Sequence, residues 1–259
     1  MTLLIASHAE AHDIWPVTAH FLTKHWPDGC KIFLGANGVD RSACVPGGWD
    51  YINEGEDLSF SKSLLDYLGH VETDYLILML DDFAILEDVD PRKIQKAFRF
   101  LRERNGVYLR LVPNPPGTRR IDSDFSRIEV EKNVPYITSL QMALWKKEFL
   151  MELLHYDFSP WDFETKAGRT DAARRHQDGF YVTNEPWVRY THFVEKGKFY
   201  PLLKKLLEEE KIPLRSDRPF WREEEIKKMR EPFFKSRLRA LVPPRYYNIL
   251  RKLLGKAPL

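Results

Sequence analysis

Two adjacent carboxylates, Asp81 and Asp82, follow the most apolar stretch of the chain, residues 75–80 (YLILML). Such a stretch reads as a strand buried on both faces, and open α/β sheets bind their ligands at strand ends. Neighbouring carboxylates repel, and keeping both beside apolar chain is costly unless a cation compensates. A hard divalent ion suits them, because Mg²⁺ takes one or two carboxylates and completes its shell with phosphate oxygens and water. The plainer alternative gives one aspartate to a turn cap and the other to solvent. A second constellation, His8-Ala-Glu-Ala-His12, sets two imidazoles around a carboxylate and would suit zinc if the segment were extended. No further histidine cluster has a clear ligand spacing, so the two rings read more simply as polar groups of a loop.

The elements that must position these groups alternate along the chain. Residues 3–6 form an apolar run that reads as a first strand. Residues 14–25 carry apolar side chains at helical spacing, with Asp13 placed as N-cap and Pro16 tolerable in the first turn. Residues 31–34 read as a second strand closed by Gly35-Ala-Asn-Gly38, and residues 59–68 as a helix with Leu64, Leu65 and Leu68 on one face. After the acidic pair, a helix over 91–104 and a strand over 108–112 precede the breaker Pro113-Asn-Pro-Pro-Gly117. Residues 135–143 read as a strand turning into a helix over 146–154, and residues 159–164 (SPWDFE) as the following loop. The alternation predicts an α/β fold with a mostly parallel sheet covered on both sides.

The stretches LLIASHAEAHDIW, KIFLGANG, YLILMLDDFAI and LQMALWKKEFL, followed by PWDFE, together resemble the GT-A glycosyltransferase superfamily. They are most similar to the small bacterial transferases of surface-polysaccharide and glycan assembly. The resemblance spans roughly residues 3–200. It implies a GT-A-like, Rossmann-like fold in which an acidic signature binds Mn²⁺ or Mg²⁺ and the donor's diphosphate. Asp81 and Asp82 match that signature as DDF rather than DxD, which leaves open which carboxylate touches the metal. The resemblance also implies that Ser7, Asp13 and the segment from Gly35 to Asn37 lie against the nucleotide. It further implies that His192 reaches the metal and Lys198 the diphosphate. Gln141 is assigned a hydrogen bond to a sugar. Transfer with inversion needs a base for the acceptor hydroxyl; Glu164 is assigned that role, with Asp162 in reserve. The rival reading makes both carboxylates acidic residues of a helix N-terminus. Trp145 and Trp161 are the aromatics available to stack on sugar rings, and each is equally read as a core or interface aromatic.

Composition sets the outer limits. The chain has 259 residues, 43% hydrophobic and 30% charged, with a net charge of +2; this describes a folded domain and gives no reason to expect nucleic acid as partner. Two cysteines, Cys30 and Cys44, make neither a disulfide framework nor a thiolate metal site, which favours a reducing compartment. The first residues lack a basic leader and a cleavage site, so no secretory signal is expected, and no segment reaches the ~20 apolar residues of a spanning helix. A cytoplasmic protein is expected, attached at most to the inner face of the membrane. Residues 232–259 hold seven of the 40 Lys and Arg and none of the 38 Asp and Glu, interleaved with apolar residues. This amphipathic tail suits an anionic membrane surface or a second copy of the chain equally well. The expected organisation is a catalytic domain over 1–215 and a basic extension over 216–259.

The expectation from these readings is a metal-dependent, inverting glycosyltransferase with a nucleotide-sugar donor and a glycan or lipid-linked acceptor. A metal-dependent hydrolase or nucleotidyltransferase using the same acidic pair is the enzymatic alternative. A nucleotide- or glycan-binding scaffold without turnover is the non-catalytic one.

Overall fold

The computed structural model describes residues 1–132, 134 and 136–228. Most of the basic tail therefore lies outside the described residues. Strand β1 (Thr2–Ala6) leads through a short 3₁₀ turn into α1 (Trp15–His25), and β2 (Lys31–Gly35), β3 (Asp50–Ile52) and α2 (Phe60–Gly69) follow. Then come β4 (Tyr75–Leu80), β5 (Phe83–Ile85), α3 (Pro91–Glu103), β6 (Tyr108–Arg110) and the short strands β7 (Arg119–Arg120) and β8 (Phe125–Arg127). Strand β9 (Ala143–Lys146) runs straight into α4 (Lys147–Leu154), followed by α5 (Pro160–Lys166), α6 (Asp171–Arg175), β10 (Phe180–Thr183) and β11 (Tyr190–His192).

Several helix starts are set by local chemistry. Ser59, Asp90, Ser159 and Thr170 each place a side-chain oxygen on a backbone N–H of the first turn, satisfying a donor that has no partner inside the helix. Helix α1 begins differently. Ile14 occupies its N-cap without a side-chain bond, and Asp13 instead accepts a hydrogen bond from the Ser216 hydroxyl. The expected Asp13 cap is absent because the 3₁₀ turn at Ala9–Ala11 already feeds the chain into the helix: Ile14 N–H donates to the Ala11 carbonyl at 3.0 Å.

Nine strands among the described residues form one sheet in the order β3-β2-β1-β4-β9-β6-β10-β8-β7. The sheet is mostly parallel, with β9 and β8 running against their neighbours. Leu4, Leu76, Leu78 and Trp145 face α2, α4 and α5 in one apolar cluster with Leu64, Leu150 and Phe163. The alternate residues Leu3, Ile5, Ile77 and Met79 point to the opposite face and are fully buried there. Burial on both faces is what a largely parallel sheet requires, and each large side chain so buried contributes ~1.5–3 kcal/mol. Of the two roles open to Trp145, sugar platform and core aromatic, it takes the second, with no exposed surface.

The segment expected to be a strand over 135–143 is irregular from 136 to 142, and β9 begins only at Ala143. Tyr136 has φ +55°, which an extended strand does not accommodate. The amides of this segment bond to side chains instead: Ser139 N–H to the Tyr108 hydroxyl at 3.2 Å, Leu140 N–H to Glu164 at 2.9 Å and Met142 N–H to the Tyr190 hydroxyl at 3.3 Å. The expected loop at 159–164 is the capped start of α5.

The described residues divide into two compact units: Met1–Phe193 with Ile212–Ser216, and Val194–Lys211 with residues 217–228. In the second unit, β12 (Val194–Glu195) and β13 (Lys198–Phe199) form a hairpin whose turn residues Lys196 and Gly197 both have positive φ, the geometry that matches the twist of paired strands. Helix α7 (Pro201–Glu210) follows, and Phe199 forms a parallel bridge with Phe220. This bridge ties residues after 217 to those before 211 and explains where the division falls. Among the described residues no helix is long and apolar enough to cross a membrane.

One glycine is required by close approach. A Cβ on Gly35, the last residue of β2, would lie 2.3 Å from the ring of Tyr67. Gly35→Ala is expected to cost about 1–3 kcal/mol in urea unfolding, and Tyr67→Leu in that background should recover part of the loss because the two sites share one contact.

Candidate functional site

Strands β1 and β4 lie side by side and parallel, with Ala6 opposite Leu80. From β1 the sheet continues to β2 and β3 on one side, and from β4 to β9 and β6 on the other. Such a point opens a crevice beyond the carboxyl ends of the strands. A cavity of about 260 Å³ occupies it, lined among others by Ser7, His8, Tyr67, Asp81, Leu140 and Pro160.

At the carboxyl end of β4 the two aspartates sit in the turn that leads to β5 and are held by different partners. The Asp81 carboxylate accepts from the Ser7 hydroxyl, and the Asp81 carbonyl from the Thr18 hydroxyl. Ser7 in turn accepts from the indole N–H of Trp15 at 2.8 Å. Asp81 is therefore built into the scaffold of β1 and α1 while one side of it borders the cavity. Asp82 is only 15% exposed, and its Oδ2 lies 3.4 Å from Nδ1 of His192. Its Oδ1 is buried and has no hydrogen-bond partner. An acceptor left in that state costs roughly 1–3 kcal/mol, so the atom is suited to a cation or donor that arrives with a ligand.

His192 reaches Asp82 because β11 pairs antiparallel with β5, with His192 opposite Phe83 and the Phe193 N–H on the Asp82 carbonyl at 3.0 Å. The Phe83 ring stacks on Tyr190 at 4.2 Å and meets the His192 ring edge-on at 4.5 Å. Burial holds the Tyr190 hydroxyl well above its ordinary pKa, so it remains a protonated partner for the 136–142 segment. Among the described residues no group of three or more His, Cys, Asp and Glu could hold a metal ion alone. A divalent ion on Asp82 and His192 would have to take its remaining ligands from phosphate and water, a habit of Mg²⁺. The unpartnered Asp82 Oδ1 is the atom left for that role. For a zinc site of the other kind, His12 is poorly disposed: its Nδ1 sits 3.0 Å from the Ala9 carbonyl and its ring meets Trp15 edge-on.

The other residues singled out from the sequence separate into two groups. Gln141 stands beside the cavity-lining Leu140; its Nε2 donates to the Asn114 carbonyl at 2.7 Å, and its Oε1 is a second buried acceptor without a partner. Glu164 accepts from the N–H of the cavity-lining Leu140 at 2.9 Å. Asp162, on the same helix, is paired with Lys166 at 2.9 Å and is the less available of the two. Asn37 is buried within the scaffold. It is 1% exposed, and its side chain bonds Asp66 at 2.9 Å and the Glu54 N–H at 2.9 Å. Asp13 is engaged by Ser216. Lys198 belongs to the second unit, where it pairs with Glu225 at 2.8 Å and lies 4.5 Å over the Trp221 ring.

Tyr67 escaped the sequence reading. Its hydroxyl accepts from the Asn37 N–H at 2.8 Å and donates to the Ser7 carbonyl at 3.3 Å, which joins the loops after β1 and β2. Burial pushes this hydroxyl to a pKa of about 12, so it stays a donor. A tyrosine on the apolar face of a predicted helix was the available signal, since a buried phenol needs a polar partner.

No family model matches the chain, and no curated protein sequence does. Among solved structures it is similar to TarS of S. aureus in complex with UDP-GlcNAc, at 10% identity and a TM-score of 0.49, over 76% of this chain and 59% of that one. It is similar to the mannosyltransferase PcManGT of Pyrobaculum calidifontis in complex with GDP-Man and Mn²⁺, at 12% identity and a TM-score of 0.48, over 76% and 57%. The galactosyltransferase LgtC, in complex with donor and acceptor sugar analogues, matches at 9% identity and a TM-score of 0.39, over 80% and 78%. The match spans only a little more than half of the TarS and PcManGT chains, 56% in the TarS complex with UDP.

Proposed function

We propose that this chain is a glycosyltransferase that moves a sugar from a nucleotide-sugar donor to a glycan or lipid-linked acceptor, with Mn²⁺ or Mg²⁺ bound through Asp82 and His192. The observation that carries the reading is the buried, unpartnered Oδ1 of Asp82 beside His192 at the sheet's switch point. A divalent ion there would neutralise the donor diphosphate as it leaves. Ser7 and Asp81, held by Trp15 and Thr18, border the space for the nucleotide. Gln141 Oε1 accepts a hydrogen bond from a sugar hydroxyl, which satisfies the second buried acceptor. Glu164 takes the proton of the acceptor hydroxyl as that oxygen attacks the anomeric carbon. The bond from sugar to diphosphate breaks on the opposite side, and the nucleoside diphosphate departs with inversion. The hydrogen bond from Leu140 N–H fixes the Glu164 carboxylate in place.

The direct test is thermal unfolding of the full chain with UDP-, GDP-, CMP- and dTDP-sugars, with and without Mn²⁺. A ligand present at 100 times its Kd should add about 2.7 kcal/mol to stability. The expected outcome is a metal-dependent rise with one nucleotide family, abolished in Asp82→Asn; no rise with any nucleotide would refute the reading. Asp82→Asn should also melt no lower than wild type without ligand, since it removes a carboxylate that lacks a full set of partners. Glu164→Gln should retain the donor-induced rise and lower kcat by roughly 10²–10⁴, measured as nucleotide release in the presence of acceptor.

A further inference from the structure

Beside the cavity lies an exposed apolar rim that the donor site does not use. Trp161 directly follows the cavity-lining Pro160 and is 75% exposed; none of the chain's other six tryptophans is exposed. It does not stand alone. Leu58 is 58% and Tyr156 46% exposed, and the Tyr156 ring stacks on Phe158 at 5.6 Å with 5° between planes. Two hydrogen bonds weld the segments that carry these residues. Ser59 donates to Asp157 at 2.6 Å, and Ser61 donates to the Phe158 carbonyl at 2.9 Å. The loop before α2 and the stretch leading into α5 thus form one surface, continuous with the cavity through Asp57, Phe60 and Pro160.

The chemistry of this rim is specific. Its apolar components are largely flat rings, and its polar groups are the carboxylates Asp57, Asp157 and Asp162. The lysines on the same segments are already matched: Lys62 with Asp157 at 3.5 Å and Lys166 with Asp162 at 2.9 Å. A sugar ring offers what such a surface takes, an apolar C–H face for an aromatic plane and hydroxyl donors for carboxylates. With both lysines taken up in this way and Asp57 accepting from the Ser63 hydroxyl, these segments offer no spare lysine for a phosphorylated or uronic-acid polymer. Trp161 and Glu164 are three residues apart on α5 and therefore share one side of the helix, so a ring resting on the indole lies one turn from the carboxylate assigned as base.

We infer that this rim is the acceptor subsite and that the acceptor is an uncharged oligosaccharide, one ring of which stacks on Trp161. The inference rests on the transferase reading and names its acceptor class. It is tested by probing an array of neutral, phosphorylated and uronate-containing oligosaccharides with the full chain, with Trp161→Ala and with Trp161→Phe. Nucleotide-induced thermal shifts of the same three proteins are measured in parallel. The expected result is capture of neutral oligosaccharides by the wild type, weakened at least ~10-fold in Trp161→Ala and largely restored in Trp161→Phe, with the nucleotide shift kept in all three. Capture of acidic glycans instead, no capture, or equal capture by Trp161→Ala would overturn the acceptor assignment while a preserved nucleotide shift leaves the transferase reading standing. Loss of the nucleotide shift in Trp161→Ala would place the indole against the donor's base and overturn it as well. Absence of any nucleotide shift in the wild type would refute the transferase reading itself.

Discussion

The parallel pairing of β1 with β4 sets where chemistry can take place in this chain. It puts Ala6 beside Leu80, so that the chain leaves both strands at one level and Ser7 comes within reach of Asp81 across 74 residues of sequence. Because the sheet grows to opposite sides from these two strands, a crevice opens between their ends. The cavity, the acidic pair and the loop carrying His8 all exist at that place for this reason. The core on either side of the sheet, from Leu4 and Leu78 to Trp145 and Phe163, keeps the two strands in register.

On that frame the two aspartates divide their labour. Asp81 is tied by Ser7, and through it by the Trp15 indole, into the helix that follows β1. Asp82 turns the other way, toward a strand that arrives more than a hundred residues later and brings His192. One carboxylate is anchored, and the other keeps a buried oxygen without a partner. Leaving such a group unsatisfied runs against stability, and departures of this kind from the rules of folding concentrate where a protein binds something.

The wall facing this pair is made without regular strand structure. Residues 136–142 have their amides taken by Glu164, Tyr108 and Tyr190, each from a different element. A segment held in this way can present Leu140 to the cavity while remaining fixed, because side-chain acceptors replace the ladder it lacks. The same bond that anchors Leu140 orients Glu164, so the wall and the carboxylate proposed as base are set by one contact.

By itself the sequence determined the alternation of strands and helices, since periodicity and caps such as Ser59 and Asp90 act over a few residues. It also placed the acidic pair at a strand end, because an apolar run that stops at two carboxylates has little other interpretation. Glu164 and Asp162 were legible as a pair of acids, and their difference was not: one meets a backbone amide 24 residues away, the other a lysine on its own helix. The structure alone decided that Asn37 is buried, that Asp13 serves Ser216 rather than a helix cap, that Trp145 is core while Trp161 is surface, and that His192 faces Asp82. Each of these turns on a partner distant in sequence, and local spacing carries no information about which distant strand will lie alongside.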